Sequence, residues 1–271
     1  MKDTTLPRLT DSIDIDPFQV QAFRKNGHTL TKQVLSAEEA GIYRNVISDA
    51  AYKYNTEKRA LEARDTYGKA FLQVMNLWEQ DQQVRKFTLA KRFAKIAATL
   101  LGVSNVRLYH DQALYKEPGG GLTPWHQDQY YWPLDTANTV TMWMPLMNID
   151  EEMGMLTFAS QSHKEGAVEN LAISDKSEAL LEKHIQQKGY SITRAKSMQA
   201  GDATWHYGWT LHNAPGNQAA VTREVMTIIY FADGACVTTP QNEHQEADRQ
   251  RWLRGLAPGT PAASQLNPLL L

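Results

Sequence analysis

Apolar and polar positions divide this chain into two textures. Over roughly the first hundred residues the apolar positions recur at helical spacing. Asp16 before Pro17 reads as an N-cap with proline at the first helical position, and Gly27 reads as the stop. A short β-like run, His28 to Leu35, leads into Ser36-Ala37-Glu38-Glu39, a capping box opening a helix to about Tyr54. From Gln80 to Leu101, Val84, Phe87, Phe93, Ile96 and Leu100 keep helical register, and Gly102 ends the run. Within it, Lys91-Arg92-Phe93-Ala94-Lys95 reads as a solvated basic face.

The pattern then changes to short β-like runs: Val106–Tyr115, Thr139–Ile149, Met155–Ala159, Tyr190–Thr193, Asp202–Tyr207 and Val225–Ala232. Glycine-rich breaks such as Gly119-Gly120-Gly121 and Pro215-Gly216-Asn217 punctuate them. Many short strands after a block of helices predict a mainly β protein with flanking helices (α+β), an antiparallel barrel or jelly roll. No repeat or linker interrupts the 271 residues, so the expectation is one domain. Its parts are a helical N-terminal buttress at about 1–104, a β core at about 105–235 and a C-terminal tail, 236–271, wrapping the surface.

Composition then narrows the function. A net charge of −2 leaves no basic surface for nucleic acid. No run of 18 apolar residues predicts a membrane span, and the N-terminus lacks a signal-peptide core. The single cysteine, Cys236, excludes an intramolecular disulfide and a cysteine-based metal site. The expectation is a soluble, cytoplasmic protein acting on a small molecule, with the oligomeric state undetermined. Phosphate-loop, dinucleotide, serine-hydrolase and zincin motifs are all missing from the sequence.

The informative segment is Thr123-Pro124-Trp125-His126-Gln127-Asp128. In extended backbone, residues two apart share a side, so His126 and Asp128 can present an imidazole and a carboxylate to one metal. By itself the pair is weak, and a structural histidine bonded to a carboxylate fits it as well. Downstream, His206 and His212 each offer a third ligand for a facial triad. Arg223 follows, with a planar fork suited to one carboxylate of a dicarboxylate.

Taken in this order, His126-Gln127-Asp128, the Gly201-Asp202 segment ending at His212, and Arg223 resemble the phytanoyl-CoA dioxygenase (PhyH) family of iron(II)- and 2-oxoglutarate-dependent oxygenases. Gly154 and Ser160–Gly166 fit the intervening stretch, and the likeness runs from about Phe71 to Phe231. The resemblance implies a double-stranded β-helix (cupin-like) core, with Fe(II) on His126, Asp128 and His212. It implies 2-oxoglutarate anchored by Arg223, with O2 as the second cosubstrate, and hydroxylation of an unactivated C–H. It also places Trp143 against the cosubstrate, although a core tryptophan fits equally. Gln73 falls where relatives have a residue reaching the cosubstrate, and equally reads as a solvated helix residue. Ala214 departs from relatives with a hydroxyl two residues past the distal histidine; Thr210 or Gln73 is the expected substitute. Asp128 argues against halogenation, which needs a small residue there.

For the substrate, Tyr130, Tyr131, Trp132, Trp205, Tyr207 and Trp209 suggest an aromatic wall, with about half of them in the core. Such a wall suits an amine or quaternary ammonium, for example an aminoalkylphosphonate with its anionic end on Asn76, Lys116 or Asn213. The alternatives are a terpenoid or other natural-product scaffold, a metal-dependent isomerase or hydrolase, and a non-catalytic small-molecule-binding barrel.

Overall fold

The computed structural model describes residues 6–271. The helices are α1 (Pro17–Asn26), α2 (Ala37–Tyr54), α3 (Thr66–Ala70), α4 (Leu77–Gln80), α5 (Gln82–Thr88), α6 (Lys91–Leu101), α7 (Asp175–Lys188) and α8 (Glu243–Arg251). The strands are β1 (His28–Thr31), β2 (Leu72–Met75), β3 (Val106–Lys116), β4 (Thr123–His126), β5 (Thr139–Pro145), β6 (Ile149–Asp150) and β7 (Thr157–Ala159). They continue with β8 (Ile192–Arg194), β9 (Ser197–Met198), β10 (Ala203–Tyr207), β11 (His212–Ala214) and β12 (Arg223–Ala232).

A six-stranded antiparallel sheet in the order β1-β10-β5-β12-β3-β2 faces a four-stranded one, β4-β11-β7-β8. All ten residues of β12 are buried, because its two sides serve two cores. Met226, Ile228 and Tyr230 pack outward with Met142, Met144 and the helical residues Tyr43, Phe87 and Phe93. Val225 packs inward with Leu114, Trp143 and Phe158, between the sheets. Period-two alternation therefore turns Arg223, Thr227, His110 and Gln112 toward the space between the sheets, where they line a cavity. No helix among the described residues is long and apolar enough to cross a membrane.

Local signals set the first helices. Asp16 caps α1 by accepting from the Phe18 N–H, and Gly27 closes it at φ 88°. The Ser36–Glu39 box caps α2 in both directions. Elsewhere tertiary contacts prevail. The expected helix from Gln80 to Leu101 is two helices: α5 stops at Thr88, whose hydroxyl donates to the buried Asp111 at 2.7 Å, and Ala90 is extended before α6. The N-terminal buttress is not purely helical, since β1 and β2 form both edges of the large sheet. The tail does more than wrap the surface: Leu253, Ala262 and Leu266 are buried, and the Leu270 N–H donates to Val106 O. Helices α7 and α8 lie in stretches too polar to show a helical stripe. The start of α7 covers the β4 edge, where Trp125 N–H donates to Glu178 and Ser177 donates to Trp125 O.

The basic run at α6 is also corrected. Arg92 is buried, and its guanidinium donates to Asp11, to Glu39 and to Val34 O. It thereby ties α6 to the α2 cap and the N-terminal segment. These hydrogen bonds hold the Asp11 and Glu39 carboxyls below their ordinary values of 3.8 and 4.5. Acids lowered in this way add stability above those values and lose it as pH falls through the folded-state values. Arg92→Met should cost about 2–3 kcal/mol at neutral pH, below the range for a fully buried pair because Asp11 is largely exposed. Urea titrations should show the deficit shrinking as pH falls below those ordinary values and through the lowered folded-state ones, where both carboxyls protonate.

Candidate active site

His126 on β4 and His212 on β11 are cross-strand partners, with ring centroids 4.0 Å apart. Each ring is oriented by a hydrogen bond from Nδ1 to the carbonyl two residues earlier: Pro124 O at 2.7 Å and Thr210 O at 2.8 Å. This fixes the proton on Nδ1 and leaves the Nε2 lone pairs free. Gln127 is extended, so Asp128 falls on the His126 side, although it begins a 3-10 turn (Asp128–Tyr131) instead of continuing the strand. Gln127 itself turns away and ties Gly166, Val168 and Trp209 together.

Asp128 Oδ1 lies 3.5 Å from His126 Nε2 and 3.6 Å from His212 Nε2. One donor atom from each of the three residues falls within 4.8 Å of the others. Oδ2 is occupied elsewhere, receiving Thr141 Oγ1 at 2.9 Å and meeting His206 Nε2 at 3.2 Å. Burial alone would raise the Asp128 carboxyl, but His212, His126 and His206 hold it well below the usual carboxylate range. Burial, with His126 and His206 adjacent, pushes the His212 imidazole well below its usual value. An ionised carboxylate and a neutral imidazole, lone pairs inward, fit a divalent metal of the 2-His-1-carboxylate type.

Behind this cluster stand two buried basic side chains. Arg223 is 1% exposed and Lys116 0% exposed, and they are register partners on β12 and β3. Neither forms an ion pair with any carboxylate among the described residues. Arg223 Nη1 donates to Gly154 O, its Nε has no partner, and Trp143 lies under the guanidinium at 5.2 Å. Gly154, at φ 80°, lets the Pro215 carbonyl pass close by, since a Cβ there would collide with Pro215 O. Lys116 Nζ donates to Gly121 O and to Thr123 Oγ1. Burial lowers Arg223 to about 9, and burial together with Arg223 lowers Lys116 to about 6. Lys116 is therefore largely neutral at pH 7 without an anion, and the Arg223 guanidinium is the uncompensated buried charge; a carboxylate is the simplest remedy.

The shared cavity is about 370 Å³ and includes His126, Asp128, His212, Arg223, Trp143 and Gln73. Gln73 lies on strand β2, where its amide donates to Gln112 and accepts from Tyr67. Thr210 cannot replace the hydroxyl missing at Ala214, because it donates to Gly27 O. Thr123, the register partner of Ala214, lines the cavity and is the nearer hydroxyl. Of the aromatic residues singled out in the sequence, Tyr131 and Trp132 line the cavity. Tyr130 and Trp209 line a neighbouring cavity, Trp205 is core, and Tyr207 stacks on Phe23. Asn76 is buried away from the cavity, bonded to Glu79 and the Asp111 N–H, and Asn213 points opposite to His212 and Ala214. Lys116 sits with Arg223, at the innermost end. Sequence reasoning missed Tyr67, His110, Gln112, Asp248 and Trp252. Only the alternation His110-Gln112-Leu114-Lys116 along β3 carried a signal for any of them.

The phytanoyl-CoA dioxygenase family model matches residues 23–225, and the chain belongs to that family. Among individual proteins, a probable alpha-ketoglutarate-dependent hypophosphite dioxygenase of Stutzerimonas stutzeri is 24% identical over 135 residues. That match spans 48% of this chain and 47% of the relative, about half the length of each. The non-heme alpha ketoglutarate dependent carbocyclase SnoK of nogalamycin biosynthesis superposes with a TM-score of 0.78 at 22% identity, covering 94% of this chain and 96% of its own. The epimerase SnoN, in a structure with Fe3+, alpha ketoglutarate and nogalamycin RO, gives 0.76 at 22%, covering 94% and 98%. The two facing sheets are the double-stranded β-helix of these oxygenases.

The buried charge has a measurable consequence for stability. Arg223→Met removes an uncompensated cation and loses the hydrogen bond to Gly154 and the cation–π contact with Trp143, so the ligand-free protein should gain about 1–3 kcal/mol. Denaturant titration without added anions checks this; a less stable variant would mean that Arg223 is already compensated.

Proposed function

We propose that the chain is an Fe(II)- and 2-oxoglutarate-dependent dioxygenase hydroxylating an unactivated C–H of a small polar molecule. The carrying observation is one cavity that joins three inward-facing metal donors to a buried arginine with no acidic partner. In this reading His126, Asp128 and His212 hold the iron. Arg223 takes the distal carboxylate of 2-oxoglutarate, helped by Lys116 through Thr123, and Trp143 forms the wall beside it. Gln73 faces the same space from the sheet edge. Iron loaded with 2-oxoglutarate and O2 supplies an oxidative decarboxylation, releasing succinate and CO2, that is coupled to oxygen insertion into the substrate.

The protein's own task is positioning. Thr141 and His206 keep one Asp128 oxygen engaged so that the other faces the histidines. Trp132, Tyr131 and Trp252 shield the open side from water. The small cavity must hold cosubstrate and substrate together, which supports a small molecule over a large terpenoid or polycyclic scaffold. A relative named for hypophosphite supports small polar substrates in the same direction, with an aminoalkylphosphonate as one such compound. A non-catalytic binder has no use for the complete ligand set and the arginine together.

Two measurements test the reading. Asp128→Ala and His212→Ala should each lose iron binding by calorimetry and succinate release, with circular dichroism unchanged. His206→Ala should keep measurable iron binding, and the reverse pattern would make His206 the third ligand. Arg223→Ala should weaken 2-oxoglutarate binding roughly 30- to several-thousand-fold, and Arg223→Lys should recover only part, because lysine lacks the planar fork. Unchanged 2-oxoglutarate affinity in both variants would sink the anchor assignment.

A further inference from the structure

Helix α8 has the sequence Glu-His-Gln-Glu-Ala-Asp-Arg-Gln-Arg, and none of its residues is buried. So polar a helix has no apolar face to pack and ordinarily rests on the surface. Yet His244, Asp248 and Arg251, at i, i+4 and i+7, lie along one face and line the same cavity as the metal cluster, with Trp252 just beyond. Protein contacts hold the helix there: Gln245 donates to Tyr130 O, Tyr109 donates to Asp248, and the following Trp252 and Leu253 are buried.

We propose that α8 is the substrate-selecting wall of this cavity, and that Asp248 receives an ammonium group on the end of the substrate remote from the oxidised carbon. This rests on the reading above that substrate is bound beside iron.

Asp248 accepts one side-chain hydrogen bond, from Tyr109 Oη to Oδ2 at 3.0 Å. Tyr109 is fully buried, so this contact fixes the carboxylate in place. Beside that bond, the Trp252 side chain also bears on the carboxylate. Asp248 also forms no ion pair there: Arg249 is taken by Glu246, and Arg251 lies over the Trp252 ring at 4.2 Å. Desolvation pushes the Asp248 carboxyl up to about 7 and outweighs the lowering pulls of Tyr109, Arg251 and Trp252, and a bound ammonium would bring it back down. The Trp252, Trp132 and Tyr131 rings that line the cavity add faces for a cation.

Charge is thus divided between the ends of one cavity. Arg223 leaves a cation without a carboxylate on the β12 wall, with Lys116 behind it, and Asp248 leaves a carboxylate without an ion pair on the α8 wall. A dicarboxylate cosubstrate is drawn to the first and an amine to the second, so that the two ligands do not compete for one subsite. Arg251, at the rim, is placed to meet an anionic group of a zwitterionic amine.

The test titrates the full chain, loaded with Fe(II) and 2-oxoglutarate under nitrogen, with ω-aminoalkyl phosphonates and carboxylates and with the matching compounds lacking the amine. Tryptophan fluorescence reports binding. The wild type should prefer the amine of at least one matched pair by tenfold or more. Asp248→Asn should reduce that preference roughly 10- to 100-fold, and the charge-retaining Asp248→Glu should keep part of it. Equal affinity for both members of every pair, failure of all the amines to bind, or an unchanged preference in Asp248→Asn would overturn the proposal. Iron-dependent succinate release and 2-oxoglutarate binding by the same wild-type preparation report on the oxygenase reading separately. If they persist without any amine preference, only the role of α8 falls; if they are absent, the oxygenase reading falls.

Discussion

The arrangement depends on how the Asp128 carboxylate is divided between the two sheets. Its Oδ2 is gripped by Thr141 and His206, from β5 and β10 of the large sheet. Its Oδ1 faces His126 and His212, on β4 and β11 of the small one. One side chain thus sets the spacing at which the sheets can close and the direction from which a metal can be held. Two partners on Oδ2 stiffen the carboxylate in one orientation. That stiffness lets the two histidines, each fastened to its own strand by an Nδ1 hydrogen bond, converge without further support.

The rest of the cavity follows from alternation along buried strands. Because β12, β5 and β3 are covered on both sides, every second residue faces inward whether apolar or not. Arg223, Lys116, Gln112 and His110 are carried into the interior by period alone. The hydrophobic residues on the opposite faces of the same strands offset the desolvation cost by anchoring the sheet to the helices. The site is therefore stabilised from its back. Among its charges the unpaired Arg223 guanidinium opposes folding, which is the usual tension between stability and function.

Legibility in the sequence followed the range of the forces concerned. The α1 cap, the α2 capping box and the β12 run were readable because each depends on neighbours within a few residues. The triad was readable as a set because His126 and Asp128 are two apart and His212 and Arg223 keep a characteristic order. Arg92 was misread, since nothing nearby in sequence announces that Asp11, Glu39 and Val34 O converge on it. Asn76 and Asn213 looked like free donors, but one serves the α4 turn and the other lies on the wrong side of a three-residue strand.

By itself, then, the sequence determined the helical start, the change to short strands, the family and the residues able to hold iron and a dicarboxylate. Local periodicity and fixed spacing are enough to encode these. That His126 and His212 face one Asp128 oxygen while His206 meets the other was decided only when two sheets were laid face to face. The same is true of the hydroxyl opposite Ala214 and of the polar α8 reaching the cavity. Those relations join residues far apart in the chain, and their strength comes from burial and exact placement, which no single stretch of sequence contains.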